Sequence, residues 1–180
     1  MDAFDADVLI YAAVPGHPLG ERVAGLFRSA APARAGVGSV LLLPEVLSRP
    51  LRDGATDEVR ILAGLLARLD LRPVDRATAE LATALSVRYR LRAADAAHLA
   101  TAVSMAADRF ITNNQRDFPA TITEIHVTYP ADLVDTADGD AGPVEGGLES
   151  YVVFRLSAPD GVTHTKAAAR KENADADASS

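Results

Sequence analysis

Leu91-Arg92-Ala93-Ala94-Asp95-Ala96-Ala97-His98-Leu99-Ala100-Thr101-Ala102 decides how the rest of this 180-residue chain is read. It reads as an Ala-rich helix over about 93–106, apolar nearly all round, and such a helix is buried on every side. It hands over to a short strand, Arg109 to Thr112, so helix and strand belong to one layered unit. Asp95 stands at the helix start, where the helix dipole favours an acid on its own account. His98, one turn later, has no partner His at i+4. It reads as a packed or hydrogen-bonded histidine rather than a metal ligand, with a role in positioning substrate as the functional alternative.

Working outward, strand-like and helix-like segments alternate. Residues 4–11 form an apolar run with β-branched and aromatic content, bounded by Pro15 and Gly16, and read as a buried first strand. Leu19, Val23, Leu26 and Phe27 fall on one face of a helix over about 18–30. Ala35 to Gly38 is a short strand or connection. Ser39 is the expected N-cap of a helix running to Arg49, with Pro50 stopping it. Thr56 caps the next helix, whose apolar face carries Val59, Leu62, Leu65, Leu66 and Leu69. Leu71 to Val74 is a short strand, with Pro73, which cannot donate to a ladder, marking an edge or an end. Asp75 caps a helix to about Tyr89, and Ile125 to Thr128 is a last strand. This alternation implies a three-layer α/β domain with a largely parallel sheet. In such a sheet the ligand site lies outside the carboxyl ends of the strands.

Four acids are embedded in this apolar sequence: Asp5, Glu45, Asp95 and Asp117. Each has a bland explanation. Asp5-Ala6-Asp7 is what an Asx turn or a cap uses, Glu45 would lie on a solvated helix stripe, and Thr112-Asn113-Asn114 is a turn sequence. Together they pose a problem of charge. A lone buried carboxylate costs several kcal/mol, and converging carboxylates that stay ionised need a cation among them. For oxygen-only donors that cation is Mg²⁺ or Mn²⁺. Thr112 would turn its hydroxyl to the site and Asn114 its amide oxygen to the metal. Arg49 and Arg52 follow the Glu45 helix and are the better candidates for phosphate contact; Arg88, Arg90 and Arg92 form a second basic cluster.

Composition bounds the classes. No stretch approaches the roughly 20 apolar residues of a membrane span. There is no cysteine, hence no disulfide and no thiolate metal site, and this fits a cytoplasmic protein. The start has no basic n-region, so no signal peptide is expected. The formal charge of −7 is divided unevenly, −2 over residues 1–134 and −5 over residues 135–180. A near-neutral core argues neither for nor against a nucleic-acid substrate. Residues 1–134 read as one domain. Residues 135–180 read as an acidic linker and C-terminal extension with a strand-like segment at 150–157 (Tyr151-Val152-Val153-Phe154-Arg155-Leu156) and a disordered end from Lys166. That segment would add a strand to its own sheet or to a neighbour's edge.

The four acidic segments, taken in order, resemble the PIN-domain family, and most closely its VapC-type toxins. The resemblance is carried by Phe4-Asp5-Ala6-Asp7-Val8-Leu9-Ile10-Tyr11-Ala12, by Leu43-Pro44-Glu45-Val46-Leu47, by the Asp95 stretch quoted first, and by Phe110-Ile111-Thr112-Asn113-Asn114 with Asp117-Phe118. It covers roughly residues 2–130. It implies a PIN-like three-layer α/β/α sandwich and a Mg²⁺- or Mn²⁺-dependent endoribonuclease. It further implies a homodimer and a cognate VapB-type antitoxin as partner. The family's metal-site acids carry over to Asp5, Glu45 and Asp95. Its fourth acid falls where this chain has Asn114, and Asp117 stands in for it. Ala6 and Asp7 replace the usual Thr and Asn.

Two other readings compete. A haloacid-dehalogenase-like phosphatase also uses Asp-x-Asp after a first strand. It wants Thr or Ser after the second Asp and a later Lys, whereas Val8 and Leu9 follow Asp7 and residues 1–134 contain no Lys. A PIN domain that has lost metal binding and serves only to bind a partner is the other alternative, and Asn114 is the residue that allows it.

Overall fold

Asp2–Phe4 (β1) is a strand of three residues, and Asp5 ends it. The computed structural model describes residues 1–30 and 34–133, so the expectations for the linker, the strand-like segment and the end of the chain lie outside the described residues. The run read as one long strand is instead β1 followed by a helix, Ala6–Ala13 (α1), with Asp5 as its N-cap. The physical reason is burial. A short apolar run does not distinguish a strand from a packed helix, and here Val8, Leu9 and Ala13 go into the core while Ile10 and Val14 stay exposed.

The remaining elements follow the expected order. Pro18–Ser29 (α2) is capped by His17, whose Nδ1 accepts from the Gly20 N–H. Gly36–Ser39 is β2, Leu42–Asp53 is α3, Thr56–Ala67 is α4 and Leu69–Arg72 is β3. Arg76–Tyr89 (α5) is capped by Asp75, which accepts from the Thr78 N–H at 2.8 Å, as expected. Ala93–Ser104 (α6), Arg109–Ile111 (β4) and His126–Thr128 (β5) complete the series. Several boundaries differ from expectation, and β3 begins at Leu69, the residue expected to close the apolar face of α4. Pro50 does not stop α3, which runs on to Gly54 in the left-handed conformation (φ 69°). Ser39 and Thr56 are not the cap residues; Leu41 and Ala55 hold those positions without a side-chain hydrogen bond.

All five strands are parallel, in the order β3-β2-β1-β4-β5. The chain winds outward from β1 to β3 in one direction and then returns to β4 on the other side of β1. β1 and β4 therefore flank the topological switch point. Two apolar clusters cover the two faces. Phe4, Val8, Leu9, Val23, Leu42, Leu62 and Ile111 fill the side of α1–α4. Ala3, Val37, Leu85, Leu99 and Phe110 fill the side of α5 and α6. The fold is an α/β/α sandwich, as expected. The alanines of α6 let it lie close against the sheet, and every residue from Ala96 to Ala102 is buried. Gly36 is needed on β2 because a Cβ there would meet the Asp2 carbonyl oxygen at 2.2 Å and the Phe4 ring at 2.8 Å.

Candidate active site

The register of the two central strands pairs Phe4 with Ile111, which sets Asp5 beside Thr112 at the carboxyl end of the sheet. Three contacts hold Asp5 there. Its N–H donates to the Ile111 carbonyl (3.0 Å), Oδ1 accepts from the Ala6 N–H (2.8 Å), and Oδ2 accepts from the Thr112 hydroxyl (2.7 Å). Asp5 is 6% exposed. Burial pushes its carboxyl above the ordinary range and the Glu45 charge adds to it, while nearby His98 and the hydrogen bonds from Thr112 and Ala6 oppose them.

Asp7, in the first turn of α1, completes the pair. Its Oδ2 accepts from the Asn113 N–H (3.1 Å), while Oδ1 is buried with no partner. Burial first, and then the charges of Asp5 and Asp95, push its carboxyl to about 7. Asp95 sits in the first turn of α6. Burial, followed by the charges of Asp5, Asp117 and Glu45, raises it as well. Glu45 enters from the first turn of α3, and its Oε2 lies 2.6 Å from Nε2 of buried His98.

After β4 the chain turns on itself. Asn114 Nδ2 donates to Asp117 Oδ2 (2.9 Å), the Asp117 N–H donates to Asn114 Oδ1 (3.2 Å), and the Asn114 N–H donates to the Thr112 hydroxyl (3.1 Å). Asn114 thus orients Asp117 with both ends of its amide. Thr112, whose hydroxyl was expected to turn to the site, is fully buried and gives that hydroxyl to Asp5, which leaves it no direct contact with a substrate. Arg49 lines a cavity of about 290 Å³ with Ile10, Glu45, Asp53 and Glu58. Arg49 and Arg52 are both largely exposed and lie 3.6 and 3.8 Å from Asp53.

The acids singled out from sequence, Asp5, Glu45, Asp95 and Asp117, therefore act on one another's charge at the carboxyl end of the sheet. Two further residues belong with them. Asp7 was visible as the second acid of Asp5-Ala6-Asp7, but as a strand residue; it stands instead in the first turn of α1, two residues after the N-cap Asp5. His98 follows Asp95 by three residues, the spacing that places two side chains on one helix face.

Hard carboxylate oxygens, an orphaned Oδ1 on Asp7 and mutual repulsion are what a site for a divalent cation offers. The donor chemistry fits Mg²⁺ or Mn²⁺. Among the described residues, no three acids or histidines already stand as a closed ligand set. Nor is any helix among them long and apolar enough to cross a membrane.

Comparison with known proteins agrees with this geometry. The PIN domain family matches residues 3–122. A solved structure, a toxin-antitoxin complex from Klebsiella pneumoniae, includes a chain that is similar at 26% identity with a TM-score of 0.57, covering 72% of this chain and 98% of that one. No curated protein matches the sequence. With the family matched over two-thirds of its length and the sheet order and acid cluster in place, the chain belongs to the PIN-domain family, whose members are generally nucleases.

Proposed function

We propose that this PIN domain is a Mg²⁺- or Mn²⁺-dependent endoribonuclease and the toxin of a VapBC-type toxin–antitoxin pair. The observation that carries the nuclease reading is the group of five carboxylates at the switch point, three of them with raised proton affinity because they are buried together. The toxin reading is supported by the similar chain solved as a toxin-antitoxin complex. On this reading the protein is cytoplasmic, pairs with a VapB-type antitoxin and forms a homodimer.

Asp5 and Asp95 are the metal ligands, with Glu45, Asp117 and the Asn114 amide oxygen completing the set. A bound divalent ion supplies an acidified water and offsets charge on the phosphate oxygens. Thr112 holds the Asp5 carboxylate by its hydroxyl, and Asn114 holds Asp117. Glu45 keeps Oε1 clear of the His98 contact and takes the proton from the attacking water. Arg49 and Arg52 meet the flanking phosphates as point or forked donors.

The test is cleavage of structured and unstructured RNAs by the purified full chain in Mg²⁺, in Mn²⁺ and in EDTA, beside Asp5→Asn and Asp95→Asn. Metal-dependent cutting lost in both variants is expected. No cutting by the folded wild type in either metal would make the domain a partner-binding module without catalysis. Cutting that survives both substitutions would refute the site.

A further inference from the structure

Buried polar atoms in folded proteins nearly always have partners, and His98 has a single side-chain partner. Its side chain is 1% exposed on α6, Nε2 lies 2.6 Å from Glu45 Oε2 on α3, and Nδ1 is buried without a partner. The contact fixes which ring nitrogen donates. A carboxylate only accepts, so Nε2 must carry a proton.

The Glu45 side chain needs such a partner. It has three rotatable bonds and is 34% exposed, on a helix that also carries Arg49 one turn later. A glutamate so placed would turn to water or to that arginine. Arg49 instead lies against Asp53, four residues further on. Asp95 and His98 stand three residues apart on the same helix. One buried helix therefore presents an acid of the cluster and the donor that aims a second acid at it.

We propose that His98 is the positioning residue for Glu45, holding its carboxylate against the acid cluster through the Nε2–H bond while taking no metal and touching no substrate itself. The inference rests on the metal-nuclease reading of the same cluster. Groups that orient a ligand in this way are typically worth 10–100-fold in metal affinity or activity.

The experiment compares wild type, His98→Leu, His98→Gln and Glu45→Ala, with the double variant His98→Leu/Glu45→Ala, in the full chain. A glutamine amide nitrogen can take the place of Nε2 and donate to Glu45; leucine fills space and cannot donate. Calorimetric titration with Mn²⁺ alone is read beside RNA cleavage and thermal unfolding. His98→Leu should weaken Mn²⁺ binding about 10–100-fold, His98→Gln should recover most of the loss, and Glu45→Ala should add little in the His98→Leu background. Nitrogen-15 spectra of the wild-type histidines should show a ring that carries a proton on Nε2, and that signal should be missing from His98→Gln.

Mn²⁺ affinity unchanged in His98→Leu, or a His98→Gln variant that falls as far with its melting temperature intact, overturns the proposal. So does a ring whose Nε2 carries no proton, and that measurement stands even where His98→Leu does not fold. Wild type that binds Mn²⁺ and cuts no RNA overturns the nuclease reading, and the titration still decides the role of His98. Wild type that binds no Mn²⁺ overturns both.

Discussion

Asp7→Asn should make this protein more stable above neutral pH, although it removes an acid from the site. The Asp7 carboxyl titrates near 7 in the fold against 3.8 for an ordinary aspartate, chiefly because it is buried and secondly because Asp5 is charged beside it. Below about pH 4 both folded and unfolded chains hold the proton, and the group costs nothing. Between about pH 4 and 7 the unfolded chain releases the proton and the folded chain keeps it, so stability falls as pH rises; above about 7 the loss is complete. Three pH units at 1.36 kcal/mol each set a ceiling of about 4 kcal/mol. Relaxation around a partly exposed group halves that to about 2 kcal/mol. Asparagine keeps an oxygen for the Asn113 N–H and carries no charge. Urea unfolding followed by circular dichroism (the chain has no tryptophan) in EDTA should give Asp7→Asn a gain of about 2 kcal/mol at pH 8, roughly 6 °C in melting temperature for a domain of this size. The gain should vanish near pH 4, and saturating Mn²⁺ should shrink it by neutralising the wild-type charge. A variant no more stable than wild type at pH 8 refutes the reasoning. A gain that is the same at both pH values refutes it too, because it would come from a new amide hydrogen bond.

Three further outcomes are expected. Thr112→Val removes a buried hydroxyl that donates to Asp5 and accepts from the Asn114 N–H. It should cost about 1–3 kcal/mol in urea unfolding and lower the cleavage rate, and a variant unchanged in both would mean the hydroxyl orients nothing. Arg49→Ala with Arg52→Ala changes two largely exposed side chains. Stability should move by less than about 0.5 kcal/mol while KM for RNA rises and its salt dependence flattens; an unaltered KM would place the RNA elsewhere. A chain ending after residue 134 keeps every candidate site residue and the buried Leu133, and we propose that it retains cleavage and melting temperature. A fall in either would make residues 135–180 part of the working unit.

The layering was legible because it depends on local signals. Asp75 caps α5 as its sequence demands, and the alanines of α6 announce a helix buried on all sides. The start of the chain was not, because Val8-Leu9-Ile10-Tyr11 suits a buried strand and a packed helix equally well. The choice was made by the three-residue strand before it and the core that receives Val8 and Leu9. Pro50 misled for a related reason: its helix continues because tertiary packing on a buried Pro50 outweighs one missing hydrogen bond. The acids could be picked out because each is out of place in apolar sequence. Which residue pairs with which could not. The Thr112–Asp5 bond spans 107 residues, and the His98–Glu45 bond spans 53. Neither leaves a trace in local spacing.

Gly36 carries no chemistry and stands on the strand beside the site, yet it governs where the first acid lies. The Phe4 ring occupies the space a side chain at 36 would need, and Phe4 is the last residue before Asp5. Any larger residue at 36 must push against the Asp2 carbonyl, three residues before the carboxylate, or against that ring, one residue before it. In a mutational screen scored by cleavage, position 36 would therefore rank with the acids, while its substitutions leave every ligand, every charge and every phosphate contact unchanged. Within a lineage of such chains, silent drift of the site would start at this position rather than at the acids themselves.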